Sequence, residues 1–332
     1  MTADMNQKQG TIYALGELLI DMIPAQENMR ISDPGAVIKA VSGSAAIFAC
    51  AAQLLGGNAG FIGKIGEDSL SGMAISAMRT QGVNIDHLVR SDEGQIGLAF
   101  LEYTPEGRNY QYYRTRSVGS LLRADELPEK AIAGASIVHF PGMLLELTEE
   151  MRGACLRLLD LAKRYGIPVS FDPNLRRELG RGSDAMDRML NAISRADIVA
   201  PTLEEGRILT GESTPGTVIR ALHAMGPSVV ALTMDKDGCI ISKDGRAAVA
   251  EGIACDAVDP TGAGDTLAAA LCVGLREKMD LEKLAAFCNC AGMLAVTRRG
   301  AIGAALPERC RVEEVMASGA CRVRMTDTAC LQ

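Results

Sequence analysis

The residues that most clearly suggest a reactive site lie in the stretch Val258-Asp-Pro-Thr-Gly-Ala-Gly-Asp265. This stretch comes directly before an apolar helical run over residues 267–275. Free backbone N–H groups and the dipole at a helix N-terminus favour a bound anion. Gly262 and Gly264 would let the backbone lie close against a phosphate. A phosphate repels a carboxylate, so the use of Asp265 there would be to take a proton from a hydroxyl that attacks phosphorus. The alternative is an ordinary helix start, where Asp is common.

Other possible phosphate and metal motifs lack residues that those motifs require. Gly63-Lys64 is followed by Ile65, where a P-loop needs Ser or Thr. Residues 235–238 resemble part of a calcium loop but lack the closing glutamate, and they are typical of a hairpin turn. The ten cysteines form no Cys-x-x-Cys pair, so the sequence does not predict a zinc site.

Apolar strand-like runs alternate with helix-period segments along the chain. The predicted strands cover residues 11–14, 60–65, 136–140, 168–171, 198–200, 229–233 and 239–242. The predicted helices cover residues 45–55, 69–81, 149–165, 184–194, 217–225, 267–275 and 281–296. This alternation predicts a mainly parallel sheet with helices on both faces, whose ligands bind at the carboxyl ends of the strands. Polar clusters follow strand runs at Asp172-Pro-Asn174, Thr202-Leu-Glu-Glu205 and residues 259–265.

Two pieces interrupt the alternation. Residues 97–103 and 109–114 flank a Pro/Gly turn and predict a β-hairpin. Residues 18–23 and 36–41 could add two short strands, so a small sheet formed by about 18–41 and 96–114 is a candidate lid. We expect one domain over residues 1–332, with a poorly ordered tail over 316–332, because that tail lacks clear periodicity.

Composition narrows the class of protein. The chain has 332 residues, 48% hydrophobic residues, a net charge of −7 and no Trp. It has no basic block and no apolar run of membrane-spanning length, which argues against nucleic-acid and membrane partners. Residues 1–10 are polar and do not resemble a signal peptide, so we expect a cytoplasmic protein with reduced thiols.

Taken together, the motifs resemble the ribokinase-like (PfkB) carbohydrate kinases over roughly residues 11–307. Each motif alone is weak, but their joint order is specific. The motifs are Gly16-Glu-Leu-Leu-Ile-Asp21, Leu55-Gly-Gly57, Phe61-Ile-Gly-Lys-Ile-Gly-Glu-Asp68, Phe171-Asp-Pro-Asn-Leu-Arg176, Leu209-Thr-Gly211, residues 258–265 and Ala295-Val-Thr-Arg-Arg-Gly-Ala301. The first of these is close to the fructokinase form of that strand.

The resemblance implies a Rossmann-like ribokinase fold with a β-sheet lid and ATP-dependent phosphorylation of a sugar hydroxyl. At matching positions, Asp265 would be the catalytic base, and the backbone of Gly262, Ala263 and Gly264 would form an anion hole for the transferred phosphoryl group. The implied substrate-binding residues are Asp21, Gly43, Ser44, Tyr112, Arg114, Asn174 and Arg176. Structural roles are the alternatives: a surface charge for Arg114 and a salt bridge for Arg176.

The resemblance also implies a nucleotide site and cations. The matching nucleotide positions are Thr233, Gly238, Thr261, Gly262, Gly264 and Asn289, with Asn289 near the adenine or, alternatively, in a helix-capping role. Glu205 would organise Mg²⁺ through water. Many relatives use a monovalent cation such as K⁺, for which the matching positions are Asp259 and the backbones of Thr261 and Gly300. In relatives the lid also serves as a dimer interface, so a homodimer is an expectation.

The first signature departs from the family pattern, and this departure bears on the choice of substrate. Ile47 stands where relatives carry an Asn that contacts the sugar, and it could instead pack beneath the site. Fructokinase is the first choice for the activity and 2-keto-3-deoxygluconate kinase, or another sugar-acid kinase, the second. A nucleoside kinase and a catalytically silent sugar-binding relative are further alternatives. The first is disfavoured by scarce aromatic residues and the second by the retained Asp265.

Overall fold

The computed structural model describes residues 10–26, 28–104, 107–175 and 184–332. Its fourteen strands are β1 (Ile12–Leu15), β2 (Leu19–Pro24), β3 (Val37–Ser42), β4 (Ala59–Ile65), β5 (Asn84–Arg90), β6 (Gly97–Thr104), β7 (Gly107–Tyr113), β8 (Ile137–Pro141), β9 (Val169–Asp172), β10 (Ile198–Val199), β11 (Val229–Thr233), β12 (Gly238–Lys243), β13 (Arg246–Glu251) and β14 (Val323–Asp327).

Ten α-helices connect and cover these strands in the described part of the chain. They are α1 (Ser44–Leu54), α2 (Ser69–Thr80), α3 (Glu129–Ala133), α4 (Glu149–Tyr165), α5 (Ala185–Arg195), α6 (Leu203–Thr210), α7 (Pro215–Met225), α8 (Ala263–Arg276), α9 (Leu281–Val296) and α10 (Arg309–Ala317). All seven predicted helices are confirmed, with α8 beginning four residues before its apolar run.

The large sheet has the strand order β14-β13-β12-β11-β10-β9-β8-β1-β4-β5. The seven strands from β11 to β5 pair in parallel, whereas β12, β13 and β14 are antiparallel to their neighbours. The carboxyl ends of the parallel strands therefore meet at one edge. This is the predicted α/β architecture with a mainly parallel sheet, and all seven predicted strands are confirmed within it.

Hydrophobic cores lie on both faces of the large sheet. One core joins α1, α2, α8 and α9 to the sheet, and the other joins α4, α5 and α7. Parallel strands buried on both sides read as near-continuous apolar runs rather than as alternating ones. That is why β4, which is buried along its whole length, was readable from sequence.

The small sheet has the order β3-β2-β6-β7 and stands apart from the large one. β6 and β7 form the predicted antiparallel hairpin, with Leu98 opposite Tyr113, and the turn residues 105–106 lie outside the described residues. β2 pairs in parallel with β6 and antiparallel with β3. The two extra strands predicted for this sheet are thus confirmed.

The expectation that residues 316–332 form a poorly ordered tail is wrong. Residues 316 and 317 end α10, and β14 pairs antiparallel with β13 from Arg246 opposite Asp327 to Ala250 opposite Val323. β14 is an edge strand with half-buried and exposed residues, so it lacks the apolar signal of the central strands. β5 escaped prediction for the same reason, since none of its residues is buried.

Two further findings concern membrane spans and cysteines. Within the described ranges, no helix combines the length and apolar character needed to cross a bilayer. All ten cysteines are free thiols, and six of them are buried.

Candidate active site

A cavity of about 270 Å³ opens where the carboxyl edge of the large sheet faces the small sheet. Its size suits a small polar ligand. The predicted site residues that line it are Asp21, Gly43, Ser44, Tyr112, Arg114, Asn174, Glu205, Thr233, Thr261, Gly262, Gly264 and Asp265. Twelve predicted residues from seven separate elements and loops therefore converge on one site.

The N-terminus of α8 forms one wall of this cavity. Gly262 is the N-cap and adopts a left-handed φ of 79°. A Cβ on Gly262 would also lie 2.9 Å from Ile47 Cγ2, so both the backbone conformation and the packing require glycine there. A Cβ on Gly264 would meet no protein atom within 4 Å, which leaves open space beside the first helical turn. Ala263 is outside the cavity lining, and its N–H donates to Pro260 O over 3.3 Å.

Asp265 lies in the first turn of α8 and is only 8% exposed. Ser44 Oγ donates a hydrogen bond of 2.5 Å to Asp265 Oδ1. Asn174 Nδ2 in turn donates to Ser44 Oγ over 3.1 Å. Asn174 itself has a left-handed φ of 41°, and its backbone N–H donates to Asp172 Oδ1. Three residues distant in sequence thus fix the orientation of one carboxylate.

Ser44 is also the first residue of α1, whose N-cap is Gly43 with φ 121°. A Cβ on Gly43 would lie 2.4 Å from Glu17 O, so this position also requires glycine. The N-terminal ends of α1 and α8 both reach the cavity, and both present the positive ends of their helix dipoles to it. Ile47, one turn along α1, lines the cavity while only 3% exposed, so it is both a wall of the site and part of the core.

Arg114 reaches the cavity from the end of β7 and is 4% exposed. Arg114 Nη1 donates to Glu17 Oε1 over 2.8 Å, and its guanidinium lies 4.0 Å from the ring centre of Tyr112. Among the residues that the structure describes, Arg114 Nε and Nη2 are buried and have no hydrogen-bond partner. Buried donors without partners are costly, so this edge of the guanidinium calls for a ligand oxygen.

Glu17 is a site residue that the sequence motif contained but that sequence reasoning gave no role. It lies between β1 and β2, lines the cavity and accepts from Arg114 and, over 3.5 Å, from Ser117 Oγ. Burial raises the pKa of the Glu17 carboxyl, although the neighbouring Arg114 opposes that change. The sequence did contain a signal for a functional role of Glu17, because a charged residue stands beside Gly16 at the start of an apolar strand.

Glu205 caps α6 from within the cavity. Its Oε2 accepts from the backbone N–H and the hydroxyl of Thr202, and its Oε1 accepts from the backbone N–H of Leu175. A carboxylate oxygen offers two lone pairs, so Oε1 retains one for a water molecule. Thr202 is therefore the N-cap that orients Glu205.

Asp259 ties two loops together beside the α8 N-terminus. Its Oδ1 accepts from the backbone N–H and hydroxyl of Thr261, and its Oδ2 accepts from Gly300 N over 3.2 Å. Asp259 is buried and outside the cavity lining. Asp259 thus contacts both of the other positions predicted for a monovalent cation.

Two predicted nucleotide residues lie away from the cavity. Gly238 begins β12 with φ 97°, and a Cβ there would lie 2.1 Å from Ala250 O, so hairpin packing explains this glycine. Asn289 on α9 donates from Nδ2 to Glu251 O over 2.8 Å, which gives this buried amide the partner it requires. Thr233 does line the cavity, at the end of β11. Arg176 lies outside the described residues.

The cavity is rich in carboxylates. Those on its lining belong to Glu17, Asp21, Asp172, Glu205 and Asp265. Among the described lining residues, Arg114 is the only cationic side chain, and Glu17 already compensates its charge. Glu17 is thus one of five lining carboxylates and the one that pairs with Arg114.

Comparison with known proteins agrees with this geometry. The sequence model of the pfkB family carbohydrate kinases matches residues 9–309. The chain is 33% identical over 322 residues to "Probable fructokinase-2" from Arabidopsis thaliana, covering 93% of this chain and 97% of that protein.

Two solved structures share the fold. Fructokinase with bound ATP from Xylella fastidiosa superposes with a TM-score of 0.82, at 23% identity, over 93% of this chain and 98% of that one. A double mutant of fructokinase from Vibrio cholerae O395, with fructose, ADP and potassium ion bound, gives a TM-score of 0.81 at 22% identity, over 92% and 98%. At these identities the two structures support the fold alone.

Proposed function

We propose that this chain, which belongs to the pfkB family of carbohydrate kinases, is a fructokinase that transfers the γ-phosphoryl group of ATP to a hydroxyl of fructose. One observation carries the proposal: Asp265 is held by Ser44 and Asn174 at the N-terminus of α8, facing the cavity beside Gly264. A positioned carboxylate next to a helix N-terminus is what a hydroxyl-to-phosphate transfer requires.

Each group then has a defined task. Asp265 takes the proton from the attacking sugar hydroxyl, and the hydrogen bond from Ser44 holds the carboxylate in place. The N-terminal ends of α1 and α8 stabilise the negative charge that develops on the transferred phosphoryl oxygens. The space beside Gly264 leaves room for a phosphate to approach the backbone. Asp21 and the open edge of Arg114 orient the sugar hydroxyls.

The similarity to fructokinases supports fructose over a sugar acid. The "Probable fructokinase-2" from Arabidopsis thaliana is 33% identical to this chain and covers 93% of it. Ile47 supports the other candidate, a deoxy sugar acid such as 2-keto-3-deoxygluconate, because an apolar wall suits a carbon that lacks a hydroxyl. We give the similarity more weight, since it extends over most of the chain, whereas Ile47 is one residue of the cavity wall.

ATP and Mg²⁺ are the proposed co-substrate and cation. Glu205 would hold Mg²⁺ through water, and the bound ion would supply positive charge that neutralises the phosphates. The free lone pair of Glu205 Oε1 fits a contact through water. Thr233, Thr261, Gly262 and Gly264 line the cavity, which supports their proposed contacts with the nucleotide, whereas Gly238 and Asn289 lie outside the lining and their nucleotide contacts stay predictions.

Three further properties belong to the same proposal. K⁺ would bind beside Asp259, Thr261 and Gly300, because hydrogen bonds already hold the two loops at these positions together. A homodimer through the small sheet is supported by large apolar side chains exposed on both its edge strands, at Val37, Ile38 and Tyr113. Ten free thiols support a reducing compartment such as the cytoplasm.

The test is ADP release from ATP and Mg²⁺ with a panel of neutral sugars, deoxy sugars and sugar acids. We expect fructose to give the highest kcat/KM. Asp265→Asn keeps the shape of the side chain and removes the base, so its kcat should fall about 10²–10⁴-fold while ATP still binds. A variant that retains over half of its activity would exclude Asp265 as the base, and preference for a sugar acid would exclude fructokinase.

A further inference from the structure

We propose that Cys290 and Cys321 form a site of reversible oxidation, at which a peroxide converts the two thiols into a disulfide that joins α9 to the start of β14. The inference goes beyond the kinase activity and does not depend on it. It gives a chemical role to two of the ten free thiols of the chain.

Three segments of the chain meet at this pair of thiols. Cys290 lies on the buried side of α9, and Cys321 stands two residues before β14. The backbone N–H of Glu251, at the end of β13, donates to Arg322 O over 2.9 Å. Asn289 Nδ2 donates to Glu251 O over 2.8 Å and to Cys321 Sγ over 3.4 Å. The Asn289 amide therefore holds Cys321 Sγ against the helical turn that carries Cys290.

The two thiols differ in their exposure and in their acidity. Cys321 is half-buried and accessible to a small oxidant, whereas Cys290 is fully buried. The hydrogen bond that Cys290 donates lowers the pKa of the Cys321 thiol, burial opposes this, and the bond from Asn289 adds to it. The same bond and burial raise the pKa of the Cys290 thiol. Cys321 is therefore the thiolate that meets the oxidant, and Cys290 is the thiol that completes the disulfide.

Two further cysteines lie near the pair but do not share these properties. Cys239 and Cys288 are close enough for their charge to affect Cys290, yet both are fully buried. Burial raises the pKa of the Cys239 thiol to about 12, and it also raises the pKa of the Cys288 thiol. The first oxidation in this group of four thiols therefore occurs on Cys321.

The segment that carries Cys321 can move towards α9. A disulfide places its two sulfurs about 2.05 Å apart, which is closer than the sulfurs of two hydrogen-bonded thiols. Residues 318–320, which connect α10 to Cys321, are exposed. Gly319 has a φ of 73°, and a Cβ on it would meet no atom of the described residues within 4 Å. A shift of this connection can therefore bring Cys321 to Cys290 without displacing the core.

With hydrogen peroxide as the oxidant, the reaction takes two steps. The Cys321 thiolate attacks one peroxide oxygen, the O–O bond breaks, and a sulfenic acid and a hydroxide ion form. The Cys290 sulfur then attacks Cys321 Sγ, the S–S bond forms, the S–O bond breaks, and the hydroxyl leaves as water with the Cys290 proton. The hydroxide ion takes up the proton that Cys321 had released. The two thiols thus lose two electrons and two protons, and the peroxide is reduced to two water molecules.

The experiment treats the folded, reduced protein with hydrogen peroxide, blocks the remaining thiols and maps the tryptic peptides by mass spectrometry. Cys321 is the only cysteine in the peptide 312–322, and the peptide 284–298 contains Cys288 and Cys290. We expect these two peptides to be joined, with a mass lower by two hydrogen atoms than their sum. Dithiothreitol should separate them again by thiol–disulfide exchange.

Four single substitutions assign the bond. Cys321→Ser should abolish the link, and Cys290→Ser should leave a sulfenic acid on Cys321 that dimedone traps. Cys288→Ser should retain the link, because Cys288 shares the peptide but not the bond. Cys310→Ser is the matched control, because Cys310 is an exposed cysteine on α10 outside the pair, and the yield of the link should stay unchanged.

A bond from Cys321 to Cys288 would overturn the inference. Oxidation of the exposed Cys255, Cys310 or Cys330 while the peptide 312–322 stays unmodified would overturn it too. If the variants of the buried cysteines do not fold, fragmentation of the joined peptides from the unchanged protein decides, since it places the bond at Cys290 or at Cys288. Kinase activity enters none of these measurements, so failure of the fructokinase proposal would be seen separately.

Discussion

Replacing Ser44 by Ala should test how the catalytic carboxylate is held. Ser44 Oγ donates to Asp265 Oδ1 over 2.5 Å and accepts from Asn174 Nδ2 over 3.1 Å. Loss of this hydroxyl removes the hydrogen bond to the carboxylate and also its indirect link to Asn174. A hydrogen bond to a charged group is worth about 1.5–3 kcal/mol. Each 1.36 kcal/mol corresponds to a factor of ten in rate, so we expect kcat to fall about 10- to 150-fold.

The assay is steady-state ADP release with fructose, together with the KM for ATP and thermal unfolding. We expect the KM for ATP to change little, because Ser44 acts on the carboxylate. Ser71→Ala is a matched control: Ser71 Oγ donates to Asp68 Oδ2 over 2.7 Å in the first turn of α2, outside the cavity. Ser71→Ala should lower stability and leave kcat within twofold.

A folded Ser44→Ala protein with kcat within twofold of the unchanged protein would refute the reasoning. Equal losses of kcat in Ser44→Ala and Ser71→Ala would also refute it, since the effect would then follow stability rather than the position of Asp265. Combining Ser44→Ala with Asn174→Ala should cost less than the product of the single effects, because the two residues act through one connected set of hydrogen bonds.

Two remaining predictions concern Gly264 and His139. Gly264→Ala should fold normally, since its Cβ would meet no atom of the described residues within 4 Å, but it should lose most activity because the added methyl group fills the proposed phosphate space. Gly262→Ala should instead lower the melting temperature, because Gly262 has a φ of 79° and its added Cβ would lie 2.9 Å from Ile47 Cγ2. Normal activity in Gly264→Ala would contradict the proposed phosphate position. Burial lowers the pKa of His139 to about 3, and its ring is stacked 3.7 Å from Phe48. Between about pH 6.5 and pH 3, His139 is therefore protonated in the unfolded chain and neutral in the folded chain. As the pH falls through this range, His139 lowers the free energy of unfolding by up to about 1.4 kcal/mol per pH unit. His139→Phe should remove that part of the slope between pH 6 and 4 in urea unfolding, and an unchanged slope would contradict the buried neutral state.

The central strands, the longer helices and most residues that line the cavity could be predicted from the sequence alone. Strands such as β4 and β8 are buried on both faces and therefore appear as apolar runs in the sequence. The hairpin of β6 and β7 could be predicted because two strand-like runs flank a Pro/Gly turn. The stretch around Asp265 was readable because its chemistry is local, with glycines and a carboxylate on one helical turn. Edge strands carry no comparable signal, and for that reason β14 was missed.

The contacts among these residues could be seen only in the folded structure. The hydrogen bond from Ser44 to Asp265 spans 221 positions, and the ion pair of Arg114 with Glu17 spans 97, distances at which residue spacing carries no information. The role of Glu17 depends on burial and on the partner it meets, neither of which its own motif contains. Local periodicity reports which face of an element is buried, whereas the pairing of polar side chains follows from how the helices and the two sheets pack, because only packing brings such distant positions into contact.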